Sequence, residues 1–273
     1  MMLATNARQP TLFIPHGGGP CFFMDPPSQD PQAWDGMAAY LRGIAGALPA
    51  RPRAILVVSA HWECPVPTVN TGTRPGMLFD YYGFPEHTYR LDYPAPGAPA
   101  LAAQVRELLA GAGIESAEDA ERGYDHGVFV PFLLMFPDAD IPVLQLSLQA
   151  GLDPAAHLAI GRALAPLRDE GVLIVGSGMS YHNLRAFYPR DERAIAASLA
   201  FDAALTAALD AAPVARDTAL ADWKRLPDAV ACHPREEHLL PLMVVAGAAG
   251  DERGRKTFND RVFGKAVSGF QFG

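Results

Sequence analysis

The sequence predicts an α/β fold: a single domain in which a central, largely parallel or mixed sheet is flanked by helices and the strand carboxyl ends border the ligand crevice. Three observations predict it. Short β-rich runs alternate with longer segments of helical character, the pattern of a sheet covered by helices. Several of these runs are almost continuously apolar, as expected of strands covered on both faces. Of the 273 residues, 49% are hydrophobic and 19% charged, enough to fill a buried core around one such sheet.

In chain order, the first strand spans 11–15 and runs into the turn Pro-His-Gly-Gly-Gly-Pro. A helix follows over 33–47. The apolar run Ala-Ile-Leu-Val-Val-Ser makes 54–59 a buried strand, and 66–70 is the next one. From 71 to 99 the chain is rich in Gly, Pro and Tyr with little periodicity, which reads as a long ordered loop of the kind that forms lids and pocket walls. Helices are expected over 98–110 and 128–136, a strand over 142–146, and a helix over 154–168. In that last helix Leu158, Ala159, Leu164 and Leu167 face inward, which leaves Arg162, Arg168 and Asp169 for a wetter face. The strand 172–176 and helices 191–209 and 237–248 complete the set. No internal repeat, low-complexity tract or linker divides residues 1–273, so one domain is expected.

The formal net charge is -8 and no Lys or Arg run is long enough to neutralise a phosphate backbone, which argues against nucleic acid and anionic membrane surfaces as partners. Apolar stretches are broken by Pro, Gly or Asp well short of a bilayer span. The first ten residues are polar and carry no leader-like apolar core, so a cytoplasmic location is expected. Cys21, Cys64 and Cys232 are odd in number, lack CxxC spacing and lie near His16, His61 and His233 in sequence. They read as small buried thiols, with an oxidation-sensitive or metal-supporting role as the alternative. Nothing in the sequence specifies an oligomeric state.

Chemistry concentrates in the histidines. Five of the eight stand at strand ends or helix starts: His16, His61, His126, His182 and His238. In an open parallel sheet the carboxyl ends of the strands border the crevice, so His16, His61 and His182, beyond the strands at 11–15, 54–59 and 172–176, should converge there. His16 reads as a metal ligand on a glycine loop or as a turn-capping residue. His61 reads as a ligand with Trp62 packed behind it, or as a satisfied core histidine. His233 and His238 are five residues apart, so on a helix turning about 100° per residue they would diverge by roughly 140°, unlike the metalloprotease pair four apart. One of them should reach a metal, and His238, at the start of an apolar helix, is the choice. His233 is then substrate-facing or structural. His126 opens a helix, where it either donates to an anionic oxygen or caps the helix. His182 lies on a loop whose hydroxyls and backbone groups can orient an imidazole for acid–base work.

Together these segments resemble the class III extradiol ring-cleaving dioxygenases, and within them the DOPA-dioxygenase-like group. The matching stretches are Leu12-Phe-Ile-Pro-His-Gly, Ile55-Leu-Val-Val-Ser-Ala-His-Trp, Gly123-Tyr-Asp-His-Gly, Asp140-Ile-Pro-Val-Leu-Gln-Leu-Ser, Gly176-Ser-Gly-Met-Ser-Tyr-His-Asn-Leu and His233-Pro-Arg-Glu-Glu-His-Leu-Leu-Pro-Leu. They follow the family's order and cover nearly the whole chain. The resemblance implies His16, His61 and His238 as metal ligands, and His126 and His182 as acid–base residues beside them. It implies a small aromatic diol and O2 as substrates, opened to a semialdehyde acid. His182 would take a catechol proton, and His126 would stabilise developing negative charge and return a proton. Such enzymes usually present two His and one carboxylate to Fe(II). Here the third ligand is His238, with Glu236 or Glu237 as a fallback carboxylate. Fe(II) is therefore the expected metal and Zn(II) the other candidate. A zinc hydrolase with the same three ligands and a non-enzymatic binding protein on the same scaffold remain as alternative readings.

Overall fold

The computed structural model describes residues 7–273, so six of the ten N-terminal residues considered above, 1–6, lie outside the described residues. Eight strands form one sheet: β1 Thr11–Pro15, β2 Ala54–Cys64, β3 Thr68–Asn70, β4 Ala117–Asp119, β5 Val143–Gln149, β6 Val172–Gly178, β7 Gly254–Val262 and β8 Lys265–Phe272. Their spatial order is β4-β3-β5-β2-β6-β1-β8-β7. The four central strands β5, β2, β6 and β1 are mutually parallel. The flanks introduce antiparallel pairs, β3 on β5, β8 on β1, and β7 on β8, so the sheet is mixed.

All five expected strands are present. The hairpin of β7 and β8 carries no advance signal, because β7 interleaves Arg, Lys, Asn and Asp with its apolar residues. Its two-residue turn is Phe263-Gly264 rather than Asn-Gly, although both residues take positive φ, as such a turn requires. The second strand also continues past 59. It bulges between Val58 and Glu63, which pair with Leu146 and Leu148 of β5, so residues 59–62 are pushed out of register beside the strand ends.

Nine helices cover the sheet: α1 Asp35–Ala47, α2 Pro99–Gly111, α3 His126–Met135, α4 Pro154–Leu164, α5 Leu184–Phe187, α6 Glu192–Asp210, α7 Pro213–Ala221, α8 Ala229–Cys232 and α9 Leu240–Ala248, counted among the described residues. The helix expected over 154–168 breaks at Leu164 into a 3-10 turn, Ala165–Glu170, where Pro166 cannot donate to the preceding turn. That break changes the phase. Arg168 is consequently not on the wet face but fully buried, with Nε donating to the Gln9 carbonyl at 2.8 Å and Nη1 to that of Ala248 at 3.0 Å. Arg162 and Asp169 do remain at the surface, paired with Asp217 and Arg8. His157, on the same helix, is also buried. Its Nδ1 donates to the Asp153 carbonyl at 2.7 Å and its Nε2 accepts from the Gln149 amide at 3.2 Å, so every polar atom of that ring is satisfied.

Helix α9 is buried all round and lies against β6. Gly176 and Gly178 permit this approach: a Cβ at those positions would come within 2.5 Å of the Pro241 carbonyl and 2.2 Å of the His238 carbonyl. The segment entering α9 therefore rests directly on the carboxyl end of β6. Among the described residues, no helix is long and apolar enough to cross a membrane.

Candidate metal centre

Three histidines arrive at one point, two from the sheet and one from the segment entering α9. His16 follows β1 and its backbone amide donates to the Gly178 carbonyl at 3.1 Å. His61 projects from the bulge of β2, where its amide donates to Ser59 Oγ at 3.2 Å. His238 precedes α9 and its carbonyl accepts from the Met179 amide at 3.0 Å. Each imidazole is thus fixed through its own backbone. Ring centroids are 4.8 Å apart for His16 and His61, 4.9 Å for His61 and His238, and 5.3 Å for His16 and His238. One ligand atom from each ring lies within 4.8 Å of the other two.

These rings fit a divalent cation. Both nitrogens of His16 and Nε2 of His61 are buried without a hydrogen-bond partner, and burying such groups unpaired is costly unless something accepts their lone pairs. Burial, followed by the charge of His61 and His238, drives the His16 pKa well below its ordinary value. The same causes, burial and then His182 and His61, act on His238. Burial and then His126 lower His61 to about 3. All three are neutral at physiological pH, the state in which imidazole ligates a metal.

His126 and His182 join the same cluster. The His126 ring lies 3.9 Å from that of His61, and the His182 ring stacks on that of His238 at 3.3 Å. All five border a cavity of about 280 Å³, the lower end of ligand-pocket sizes, together with the glycine loop Gly17 to Gly19. Tyr81, Phe84, Met179, Phe187 and Tyr188 supply much of the remaining wall. Other tyrosines near these segments lie elsewhere. Tyr124 is core, donating to the Val143 carbonyl at 3.0 Å; Tyr181 is buried against Phe187; Tyr82 is 91% exposed.

Carboxylates stand behind the rings, and two of them, Asp80 and Asp125, had no role in the sequence reading. Asp80, from the loop expected over 71–99, accepts at Oδ1 from His126 Nδ1 at 2.7 Å and from the His126 amide at 3.1 Å. Burial works to raise the Asp80 pKa, but the bond from His126 and the charges of His126 and His61 outweigh it and hold the group below the ordinary carboxylate value. Glu237, the fallback carboxylate, groups with His182 and His238 rather than with His16 and His61. Its Oε1 lies behind the ligand ring, accepting from His238 Nδ1 at 2.8 Å, while Glu236 turns away to pair with Lys224 at 2.9 Å. Fully buried Asp125 accepts from Ser59 Oγ at 2.7 Å and from Arg122 at 3.2 Å, and Arg122 also donates to the His61 carbonyl at 3.1 Å. That network pins the bulge. Only an acidic residue beside a histidine, as in Asp125-His126 or Glu237-His238, could have signalled any of this from sequence.

His233 stays outside the cluster. It is buried between Phe201 and Trp223, with Nε2 donating to the Ser180 carbonyl at 3.0 Å, so its role is structural. Burial lowers its pKa to about 4, against about 6.5 for an unfolded chain. Between those values the unfolded state binds the extra proton and the native state does not, so native stability falls as pH drops through that window. Chemical denaturation of metal-free protein between pH 7 and pH 4 should therefore show a loss that His233→Gln reduces by about 3 kcal/mol. Equal slopes for both chains would refute the assignment. Cys21 and Cys232 are buried thiols, each pushed up to about 12 by burial, whereas Cys64 is only half-buried.

Residues 10–271 match the family described as the catalytic LigB subunit of aromatic ring-opening dioxygenase. The chain is 37% identical to a dioxygenase, tasH, of Hapsidospora irregularis, over 97% of this chain and 85% of that one. It is 44% identical to a 4,5-DOPA dioxygenase extradiol of Beta vulgaris, over 74% of this chain and 75% of the other. With the 4,5-DOPA dioxygenase extradiol of Escherichia coli K12 it shares 35% identity over 90% and 88%. The crystal structure of an uncharacterized protein from Escherichia coli K12 superposes with a TM-score of 0.78 at 32% identity, covering 97% of this chain and 100% of that one.

Proposed function

The chain belongs to the family of catalytic LigB subunits of aromatic ring-opening dioxygenases and is a metal-dependent extradiol ring-cleaving enzyme; on that premise we propose that residues 1–273 act as one catalytic domain on a DOPA-like catechol. The ring carbon–carbon bond beside the diol breaks and both atoms of O2 enter the product, a semialdehyde acid, so catechol and O2 together balance the reaction. The observation that supports this reading best is the meeting of five imidazoles on one cavity, with His16 and His61 presenting buried nitrogens that no protein group satisfies.

His16, His61 and His238 would hold the metal. Bound there, Fe(II) supplies positive charge that favours the deprotonated diol, together with redox capacity toward O2 that Zn(II) lacks. The protein's part is positioning and proton transfer. Because ionised Asp80 accepts from His126 Nδ1, the neutral ring carries its proton there and offers the Nε2 lone pair to the cavity. Glu237 Oε1 lies 3.2 Å from His182 Nδ1, a negative charge that favours a proton on that nitrogen. His182 Nε2 takes a catechol hydroxyl proton. His126 Nε2 takes the other hydroxyl proton and, steadied by Asp80, returns it to oxygen as negative charge develops. Tyr81, Phe84 and Phe187 give the ring an aromatic wall and exclude water from it.

The test is reconstitution with Fe(II) under anaerobic conditions, followed by admission of air with a panel of catechols. Oxygen uptake and a new yellow chromophore are expected from the iron protein and neither from the zinc protein. Absence of uptake across the panel would remove the catechol reading, and equal activity with zinc would remove the iron assignment. The zinc hydrolase and the non-enzymatic scaffold are not favoured, since the relatives at 35–44% identity named above are dioxygenases by name.

A further inference from the structure

We propose that Asp80 and Glu237 are positioning residues, each standing behind one metal-holding and one proton-transferring histidine, with Glu237 hydrogen-bonded to the metal-holding ring of its pair and Asp80 to the proton-transferring ring of its own. The proposal rests on the roles given to the five histidines above. Asp80 Oδ1 holds His126 at 2.7 Å, and its Oδ2 lies 3.6 Å from His61 Nδ1. Glu237 Oε1 holds His238 at 2.8 Å and lies 3.2 Å from His182 Nδ1. Each carboxylate thus stands behind a pair of neighbouring rings, His61 with His126 and His238 with His182, whose centroids are 3.9 and 3.3 Å apart. Every contact is made through Nδ1, which leaves Nε2 of each ring for the cavity.

The two pairs are not equivalent, and the difference is testable. Glu237 makes its hydrogen bond to the metal-holding ring, whereas Asp80 makes its hydrogen bond to the proton-transferring ring and stands beyond hydrogen-bond distance of His61. Removing the carboxylate behind a ligand imidazole typically costs about 10–100-fold in metal affinity, because the ring loses both orientation and basicity. Glu237 should therefore act mainly on metal holding and Asp80 mainly on proton transfer. The backbone bond from the His126 amide to Asp80 Oδ1, at 3.1 Å, fixes the carboxylate itself, so the loop over 71–99 contributes to the chemistry as well as to the wall.

The experiment uses the conservative variants Glu237→Gln and Asp80→Asn in the full chain, with folding checked by circular dichroism. Zn(II) affinity by chelator competition should fall about 10–100-fold in E237Q and less than about threefold in D80N. With Fe(II) and a catechol, D80N should lower kcat by about tenfold or more at unchanged KM, and should add nothing in a His126→Ala background. Imidazole nitrogen NMR of the zinc-loaded protein should show His126 protonated at Nδ1, and D80N should abolish that preference. Unchanged Zn(II) affinity in E237Q would overturn the role of Glu237. An unchanged His126 tautomer in D80N, or an equal kcat loss in the wild-type and H126A backgrounds, would overturn that of Asp80. Should the wild-type protein open no catechol ring, the functional reading fails, and the affinity and NMR measurements still decide the positioning roles.

Discussion

Replacing His16 with Ala is expected to lower ring cleavage by at least about a thousandfold, equivalent to roughly 4 kcal/mol of lost transition-state stabilisation, and to leave the purified protein without stoichiometric metal. His16 is 1% exposed and neither of its nitrogens has a protein partner, so its lone pair serves no structural hydrogen bond. With it gone, two imidazoles remain, and the nearest other ring, His126, already gives its Nδ1 to Asp80. No side chain on the glycine loop after His16 can take its place, since Gly17, Gly18 and Gly19 carry no donor atoms beyond the backbone. Metal analysis of protein purified without added metal, an oxygen-uptake assay and a circular dichroism spectrum check the three parts of this expectation. Retention of one metal per chain with wild-type turnover would sink the assignment of His16. The same measurements on His61→Ala and His238→Ala should give losses of similar size.

The second large effect is structural. Arg168→Met should destabilise the protein by about 3 kcal/mol, and by about 6–12 °C in Tm for a chain of this size, while leaving turnover per folded molecule unchanged at 25 °C. Arg168 bonds the carbonyls of Gln9 and Ala248 and pairs with Glu252 at 2.6 Å, so it joins the start of β1 to the end of α9. Methionine fills much of the same volume but leaves those buried carbonyls without donors, and the penalty is their desolvation rather than lost packing. Glu252 is 32% exposed and regains water, so the ion pair itself contributes little to the loss. Thermal unfolding alongside single-turnover kinetics separates the two quantities. A Tm within about 2 °C of wild type would show that the buried guanidinium is not a structural tie.

The contrast between His16 and Arg168 marks what was legible beforehand. His16 sits beyond an apolar run that could only be a covered strand, beside glycines that could only be a turn, and both signals are local. The same local signals mark His61 and His182, although β2 bulges and continues past 59 to Cys64 and β6 runs on to Gly178. Arg168 was misread because helical periodicity was carried through Pro166, where the chain tightens into a 3-10 turn. His157 is buried with its ring satisfied by the backbone of its own first turn and of the preceding strand, a pairing that nothing local in the sequence signals. The hairpin of β7 and β8 went unseen because one face of β7 is charged and its turn lacks the usual residues.

By itself the sequence determined the alternation of strand and helix, the parallel centre of the sheet, and the five histidines that stand at element ends. Each of these follows from periodicity and turn chemistry within a dozen residues. Only the tertiary structure decided which carboxylate stands behind which ring, that Glu237 bonds the Nδ1 of His238, and that Asp80 reaches His126 across 46 residues of chain. Such pairings are made where separate segments meet, and a contact between distant segments leaves no period in either of them; its free energy is gained only once the sheet has brought the strand ends together.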